Sequence, residues 1–314
     1  GLWLAAPCAQ AQVKEIKELV IAIGVDADTL NPQEQTTTLI QNMCDLIYDN
    51  FFFQDPTGTL HPRLATKYEI APDGLTYTLH LRKGVKFSDG TDFNADAVKL
   101  TFERAMDPKL RVPLRFAIGM VKECVKIDDH TVALKLSYPF APLAPTLSMT
   151  LVSPISPAAI QKYGDEVRQN PVGAGPYILK EWVKGDRLVF VRNENYHGDK
   201  PTVAQITWKI VPEAATREAM LRSGQVHMCY KPLPSNVAAL KADPNITVDM
   251  PLDTRTIFMG LNYQKGVTKN KLVRQAFNYA VDKNASVKKI LFDTAVRMEG
   301  PSSPILFGYH KMEK

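Results

Sequence analysis

Between a Pro72-Asp73-Gly74 turn and the Arg82-Lys83-Gly84 corner, the run Leu75-Thr76-Tyr77-Thr78-Leu79-His80-Leu81 alternates its side chains with a period of two. Successive strand side chains point to opposite faces, so this run settles as a strand with one face buried and one wet. Pro56-Thr57-Gly58-Thr59 supplies another hairpin turn just upstream, and Thr131 to Leu136 another strand. The buried faces need a cover, and helical periodicity provides it. Thr36 to Tyr48 places Leu39, Ile40, Met43, Leu46 and Ile47 on one face, and Asp92 to Met106 stacks Val98, Phe102 and Met106 behind a capping Asn94.

The same alternation of strand and helix runs along the rest of the chain. Glu18 to Gly24 is a short apolar, β-branched run that suits a buried strand, and Asp26 to Pro32 makes a loop after it. Ser156-Pro157 opens a helix, with a capping serine before a first-turn proline. Pro171-Val172-Gly173-Ala174-Gly175-Pro176-Tyr177 is the sharpest change of composition and reads as a linker or hinge, with Gly173 and Gly175 as its pivots. Strands resume at 177–182, 187–192 and 206–211, a helix over 214–222 stops at Gly224, and a last helix from Leu272 to Phe292 is interrupted near Asp282. Strands interleaved with helices predict an α/β fold.

The chain has 314 residues, enough for two domains, and its 45% apolar and 23% charged content is ordinary for a globular protein. No apolar run approaches the roughly 18 residues needed to span a bilayer. The net charge of +5 is spread without basic runs, which argues against nucleic acid as a partner. Residues 1–11 carry no charge and join Leu2-Trp3-Leu4-Ala5-Ala6 to Ala9-Gln10-Ala11, the tail of a signal peptide whose removal would leave Gln12 first and mark export to the periplasm. Cys8 lacks the upstream pattern of a lipid-anchored cysteine. Beyond the leader, Cys44, Cys124 and Cys229 are odd in number, so not all can pair within the chain, and their disulfide state stays open.

Catalytic patterns are sparse. Asp26-Ala27-Asp28-Thr29-Leu30 follows an apolar strand, as in haloacid-dehalogenase-type phosphatases, where Asp26 would be the nucleophile, Asp28 the acid and base, and Mg²⁺ the counter-charge. The second carboxylate such an enzyme needs is absent beside Gly164-Asp165, Gly185-Asp186 and Gly198-Asp199. The alternative is a solvated loop whose carboxylates cap the next turn. Gly173-Ala174-Gly175 is followed at once by Pro176 and fails as a phosphate cradle. The histidines at 61, 80, 130, 197, 227 and 310 form no metal-binding spacing, and no serine sits in a Gly-x-Ser-x-Gly elbow. No enzyme, metal or cofactor is expected.

The order of several segments decides the reading. Leu64-Ala65, Pro72 to Gly90, Asp92-Phe93-Asn94-Ala95-Asp96-Ala97-Val98, Asn170 to Tyr177, Arg192-Asn193-Glu194-Asn195-Tyr196-His197-Gly198 and Arg274 to Asp282 together resemble the family-5 extracellular solute-binding proteins, which bind oligopeptides, dipeptides, nickel, haem or glutathione. Asp89 to Asn94, Ile206-Thr207-Trp208 and Thr216 to Leu221 are similar to the members that bind glutathione.

The resemblance implies a two-lobed periplasmic binding protein fold of type II with an extra β-rich domain, truncated at the carboxyl end. Residues 12–50 and 169–266 would form lobe I, 51–168 the inserted small domain and 267–314 the start of lobe II. It also implies the binding component of an ABC importer, a monomer that closes its lobes on a peptide or glutathione-like ligand and is read by the membrane permease subunits. A nickel- or haem-binding member of the same family is the alternative ligand reading. The candidate ligand contacts are the loop Ala27, Asp28, Thr29 and Leu30, the lip Arg115 and Phe116, and Arg255, Thr256 and Phe258; an arginine there would pair with a ligand carboxylate.

Overall fold

The computed structural model describes residues 16–252, 255–300, 302–306 and 309–310, so the leader reading over 1–11, with Cys8, lies outside the described residues. The chain divides into two compact units, one running to Pro212 with Gln225–Met228, the other made of Glu213–Gly224 and Cys229 onward.

In the first unit, β1 (Ile16–Ile23) is followed by α1 (Thr38–Ile47), whose N-cap Thr37 accepts a hydrogen bond from the Ile40 amide. β2 (Phe52–Gln54) and β3 (Leu60–Pro62) close the first predicted hairpin, and β4 (Ala65–Ile70) and β5 (Thr76–Leu81) the second, with Gly74 at φ +69° in the turn. α2 (Ala95–Met106) starts on Asn94, whose side chain accepts from the Asp96 and Ala97 amides. β6 (Val121–Asp128) and β7 (Thr131–Leu136) form a further hairpin. After α3 (Leu143–Thr146), α4 (Pro157–Tyr163) begins as the Ser-Pro pair predicts, with Ser156 Oγ accepting from the Ala159 amide. β8 (Tyr177–Val183), β9 (Arg187–Arg192) and β10 (Val203–Ile210) complete the unit's own strands.

Two main sheets result. The first has the order β11-β1-β10-β9-β8, where β11 is the short edge Met228–Cys229. Within it β1 pairs parallel with β10 over Ile16↔Val203 to Ile23↔Ile210, so residues some 190 apart in sequence lie side by side. The second sheet, β4-β5-β7-β6, comes wholly from residues 65–128 and 131–136, and α2 packs on β6 and β7. Burial along β5 alternates as its sequence alternates, with Tyr77, Leu79 and Leu81 inside. That inner face meets Phe102 and Val98 of α2, Phe51, Phe87 and Phe93, forming one apolar core under the second sheet. The Phe51 and Phe102 rings stack at 6.2 Å. Each such ring buried adds about 1.5–3 kcal/mol relative to an exposed one. Cys44 and Cys124 are buried in these packings and Cys229 is half-buried; all three are free thiols.

The second unit holds α5 (Ala214–Arg222), α6 (Val237–Lys241), α7 (Lys271–Ala280) and the short α8 (Lys283–Ala285). Polar clamps organise its first part. Buried Glu218 accepts from the Leu233 amide and from Asn236 Nδ2, both at 2.6 Å, while buried Arg217 donates to the Lys231 carbonyl at 2.9 Å. The long helix expected from Leu272 to Phe292 breaks where the sequence marks it: α7 stops at Ala280, and Asp282 caps the next turn by accepting from the Ala285 amide.

Candidate functional site

Ligands of open α/β sheets bind beyond the carboxyl ends of the strands. Residues 24–35 leave the carboxyl end of β1, and a set of side chains pins them into the first unit. Asp26 Oδ1 accepts from its neighbour Ala27 N at 2.7 Å and from the Trp182 indole Nε1 at 3.1 Å, and Asp26 Oδ2 accepts from Gly185 N at 2.9 Å. Lys184 lies over the Trp182 ring, 3.5 Å from its centre, and donates to the Ala27 carbonyl at 3.0 Å. The turn between β8 and β9 therefore clasps the start of the loop. Further along, Glu34 receives Thr29 Oγ1 and Asn31 Nδ2, the Leu30 amide donates to the Arg168 carbonyl at 2.8 Å, and Gln33 Nε2 donates to the carbonyl of Thr101 on α2.

This fastening decides what the loop presents. Ala27, Thr29 and Leu30 are 3, 5 and 0% exposed, so their side chains pack inside the unit, whereas Asp28 between them is exposed. Below it the Cys44 thiol is pushed up by burial, with Asp45 and Asp28 adding negative charge. Asp26, the would-be phosphatase nucleophile, has both oxygens occupied by N–H donors and serves as the loop's anchor.

At the lip, Phe116 is 78% exposed, but Arg115 turns inward. Its guanidinium donates to the carbonyls of Ala105, Asp107 and Leu110 at 2.9, 2.5 and 2.7 Å, satisfying acceptors at the carboxyl end of α2. Arg115→Ala is expected to destabilise the chain by about 1–3 kcal/mol, because buried or half-buried carbonyls lose a charged donor; thermal unfolding that leaves Tm unmoved would contradict this role. In the second unit, Arg255 and Phe258 are exposed and Thr256 is half-buried, on an extended segment.

Gly173 and Gly175 lie against the end of α1. A Cβ on Gly173 would stand 2.3 Å from the Ile47 carbonyl oxygen, and one on Gly175 2.5 Å from the Ile47 carbonyl carbon. The Gly175 amide donates to that same Ile47 carbonyl at 2.8 Å. The glycines are there so that two backbones can touch.

A second group of polar residues escaped the sequence reading. Asp49, its side chain fully buried just past α1, accepts from Arg63 Nη1 at 2.9 Å and from Tyr196 OH at 3.1 Å, and meets His197 Nε2 at 2.8 Å. Burial pushes the Asp49 carboxyl up, and His197 and Arg63 more than offset it, leaving the group below the usual carboxylate range. Another tie joins the signature turn to α4: Ser156 Oγ donates to Asp89 Oδ2 at 2.5 Å, and the Ser88 amide donates to the Gly173 carbonyl. The motif segments 86–91, 171–177 and 192–198 thus meet around the ends of α1 and α4. Isolated in sequence, Asp49 and Asp45 carry no signal beyond their i, i+4 spacing. Among the described residues no three His, Cys, Asp or Glu side chains come together as a metal site.

A mixed sheet with β1 and β10 parallel, together with a second, antiparallel sheet, places the chain in the α/β class. The profile of the bacterial extracellular solute-binding proteins, family 5 (middle), matches residues 59–314, and the chain belongs to that family. The glutathione-binding protein GsiB of Escherichia coli O1:K1 is 37% identical over 290 residues, 91% of this chain and 55% of the relative. The chain spans about half the length of the curated relatives it matches. Among solved structures, the periplasmic binding protein DppA from Helicobacter pylori in complex with the peptide STSA superposes with a TM-score of 0.89 at 31% identity, covering 94% of this chain and 62% of that one. NikZ from Campylobacter jejuni in complex with Ni(L-His) gives a TM-score of 0.79 at 27% identity, over 90% of this chain and 57% of the other. The α/β fold is that of the two-lobed periplasmic binding proteins.

Proposed function

We propose that this chain is the substrate-binding component of an ABC importer and that its ligand is a peptide, with glutathione or a di- or oligopeptide as the passenger. The observation that carries the reading is the pinned loop beyond β1, which presents the Asp28 carboxylate and keeps its neighbours inside, in a chain 37% identical to a glutathione-binding protein. An exposed carboxylate at this place suits a peptide ammonium group. Phe116, Arg255, Thr256 and Phe258 are the proposed further contacts. Arg255 would take a ligand carboxylate. Ala27, Thr29 and Leu30 would shape the loop from within, and Arg115 would support the lip that carries Phe116.

Binding of this kind acts by population shift: contacts made only in the closed state favour closure, and the importer's permease subunits read the closed shape. Gly173 and Gly175 are the proposed hinge. In the proposed division, lobe I takes 12–50 and 169–266, the insert 51–168 and lobe II begins at 267. β1 pairing with β10, while the second sheet comes from the intervening residues, supports the parts up to Ile210, whereas Glu213–Gly224 and Cys229 onward cluster as a separate compact unit. Export to the periplasm, a monomeric state and the absence of catalysis belong to the same reading; the occupied oxygens of Asp26 favour it over phosphoryl transfer.

Native mass spectrometry of the chain purified without added ligand is expected to show a co-purified peptide-sized mass, and titration calorimetry with glutathione and with dipeptides to rank them. Asp28→Asn is expected to weaken binding of the ranked ligand by about 1.5–3 kcal/mol, the range for a hydrogen bond to a charged group. Unchanged affinity in that variant would remove the loop from the site.

A further inference from the structure

We infer that His227 is a pH-sensitive latch on the flank of β1 that also pairs with the short edge strand β11. The Val20 amide donates to His227 Nδ1 at 2.9 Å, and the His227 amide donates back to the Val20 carbonyl at 2.9 Å. The first of these bonds fixes the state of the ring. A backbone N–H has only a hydrogen to offer, so Nδ1 must hold a lone pair and the ring proton sits on Nε2. The edge of the first sheet is therefore fastened to residue 227 by one backbone bond and one imidazole lone pair.

Protonation converts Nδ1 into a donor facing a donor, and that bond is lost while its backbone partner remains. The ring is exposed, so solvent can deliver the proton to Nδ1 and water can accept from the vacated amide. Glu18, also on β1, is the charged group that acts on the ring; its carboxyl is held below the usual range by Thr207, then Gln205, with His227 contributing. Gln205 and Thr207 of β10, which hold Glu18, are themselves uncharged. Glu18 is thus the ionised neighbour of the ring on the same strand.

The position gives the latch its consequence. Gln225–Met228 is the stretch by which the chain leaves the second unit after Gly224, joins the first, and returns at Cys229. Val226, 2% exposed, keeps this stretch seated by apolar packing, so acidification loosens it without detaching it. The seating of Gln225–Met228 on β1 is thereby softened at low pH and firm at neutral pH.

Residue-resolved hydrogen exchange of the chain tests this at pH 8 and pH 5, corrected for intrinsic rates. Protection of the Val20 amide is expected to fall about tenfold at pH 5 relative to Ile21 and Ile23 in the same strand. His227→Asn places a non-titrating oxygen near the Nδ1 position and is expected to abolish the difference between the two pH values. The ring ¹⁵N shifts of the parent at pH 8 are expected to show an unprotonated Nδ1 and a protonated Nε2. The inference is overturned if Val20 protection in the parent is the same at both pH values, if His227→Asn keeps the parent's pH dependence, or if the ring proton is found on Nδ1.

Discussion

Gly175→Ala is expected to cost about 3 kcal/mol or more of stability, with a fall in Tm on the order of 10 °C. The methyl group would stand 2.5 Å from the Ile47 carbonyl carbon, 2.6 Å from its oxygen and 2.8 Å from the Leu46 oxygen. All three are backbone atoms in the last turn of α1, so no rotamer change relieves the clash. The helix would have to withdraw, and the hydrogen bond from the Gly175 amide to Ile47 would go with it. Gly260→Ala is the control, since a Cβ there meets nothing within 4 Å. Equal melting temperatures for the two variants would show that α1 and the 171–177 segment do not touch as described.

Asp49→Ala is expected to destabilise by about 3–5 kcal/mol, the range for removing one partner of a buried ion pair. Arg63, Tyr196 and His197 all direct polar atoms at this carboxylate, and the His197 side chain is only 10% exposed. Removing the carboxylate leaves the half-buried Arg63 guanidinium and the Tyr196 phenol without their acceptor. Asp49→Asn keeps the shape and loses the charge, so its loss should be smaller. Urea denaturation measures both, and a Cm for Asp49→Ala within error of the parent would refute the network's role.

The two aspartates near the end of α1 respond to pH with opposite signs. Asp49 is held below its ordinary value in the fold, so its stabilising contribution is complete above the unfolded carboxylate pKa and is lost as pH falls through the folded value. Asp45 is raised by burial, which the hydrogen bond from Thr150 only partly offsets. Its charged form therefore weakens the fold above its raised pKa, and acidification relieves that cost. In Asp49→Asn the acid-driven loss of stability below about pH 4 should shrink accordingly.

Much of the architecture was legible because it rests on local periodicity. The alternation in β5, the Asn94 cap of α2, the Ser156-Pro157 start of α4 and the break at Asp282 each state a local preference that packing left in place. β4 and β6 were less legible. Both are edge strands, interrupted by bulges and rich in charge on the wet face, so their sequences lack clean alternation. The loop after β1 was found by its place behind an apolar strand, but which of its side chains faces out was not. Arg115 and Asp28 look alike as charged residues near turns; one is spent on helix carbonyls and the other is exposed. Gly173 and Gly175 read as a hinge from composition, while their close approach to the Ile47 carbonyl is a tertiary contact that composition does not carry.

By itself the sequence determined the elements, the α/β class and the family, since strand and helix periods, caps and motif order are written in neighbouring residues. The tertiary structure alone decided the pairing of β1 with β10, the burial of Asp49 among partners 14 and almost 150 residues away, and the inward turn of Arg115. Those outcomes depend on which distant groups exclude water from each other, and no local pattern encodes that.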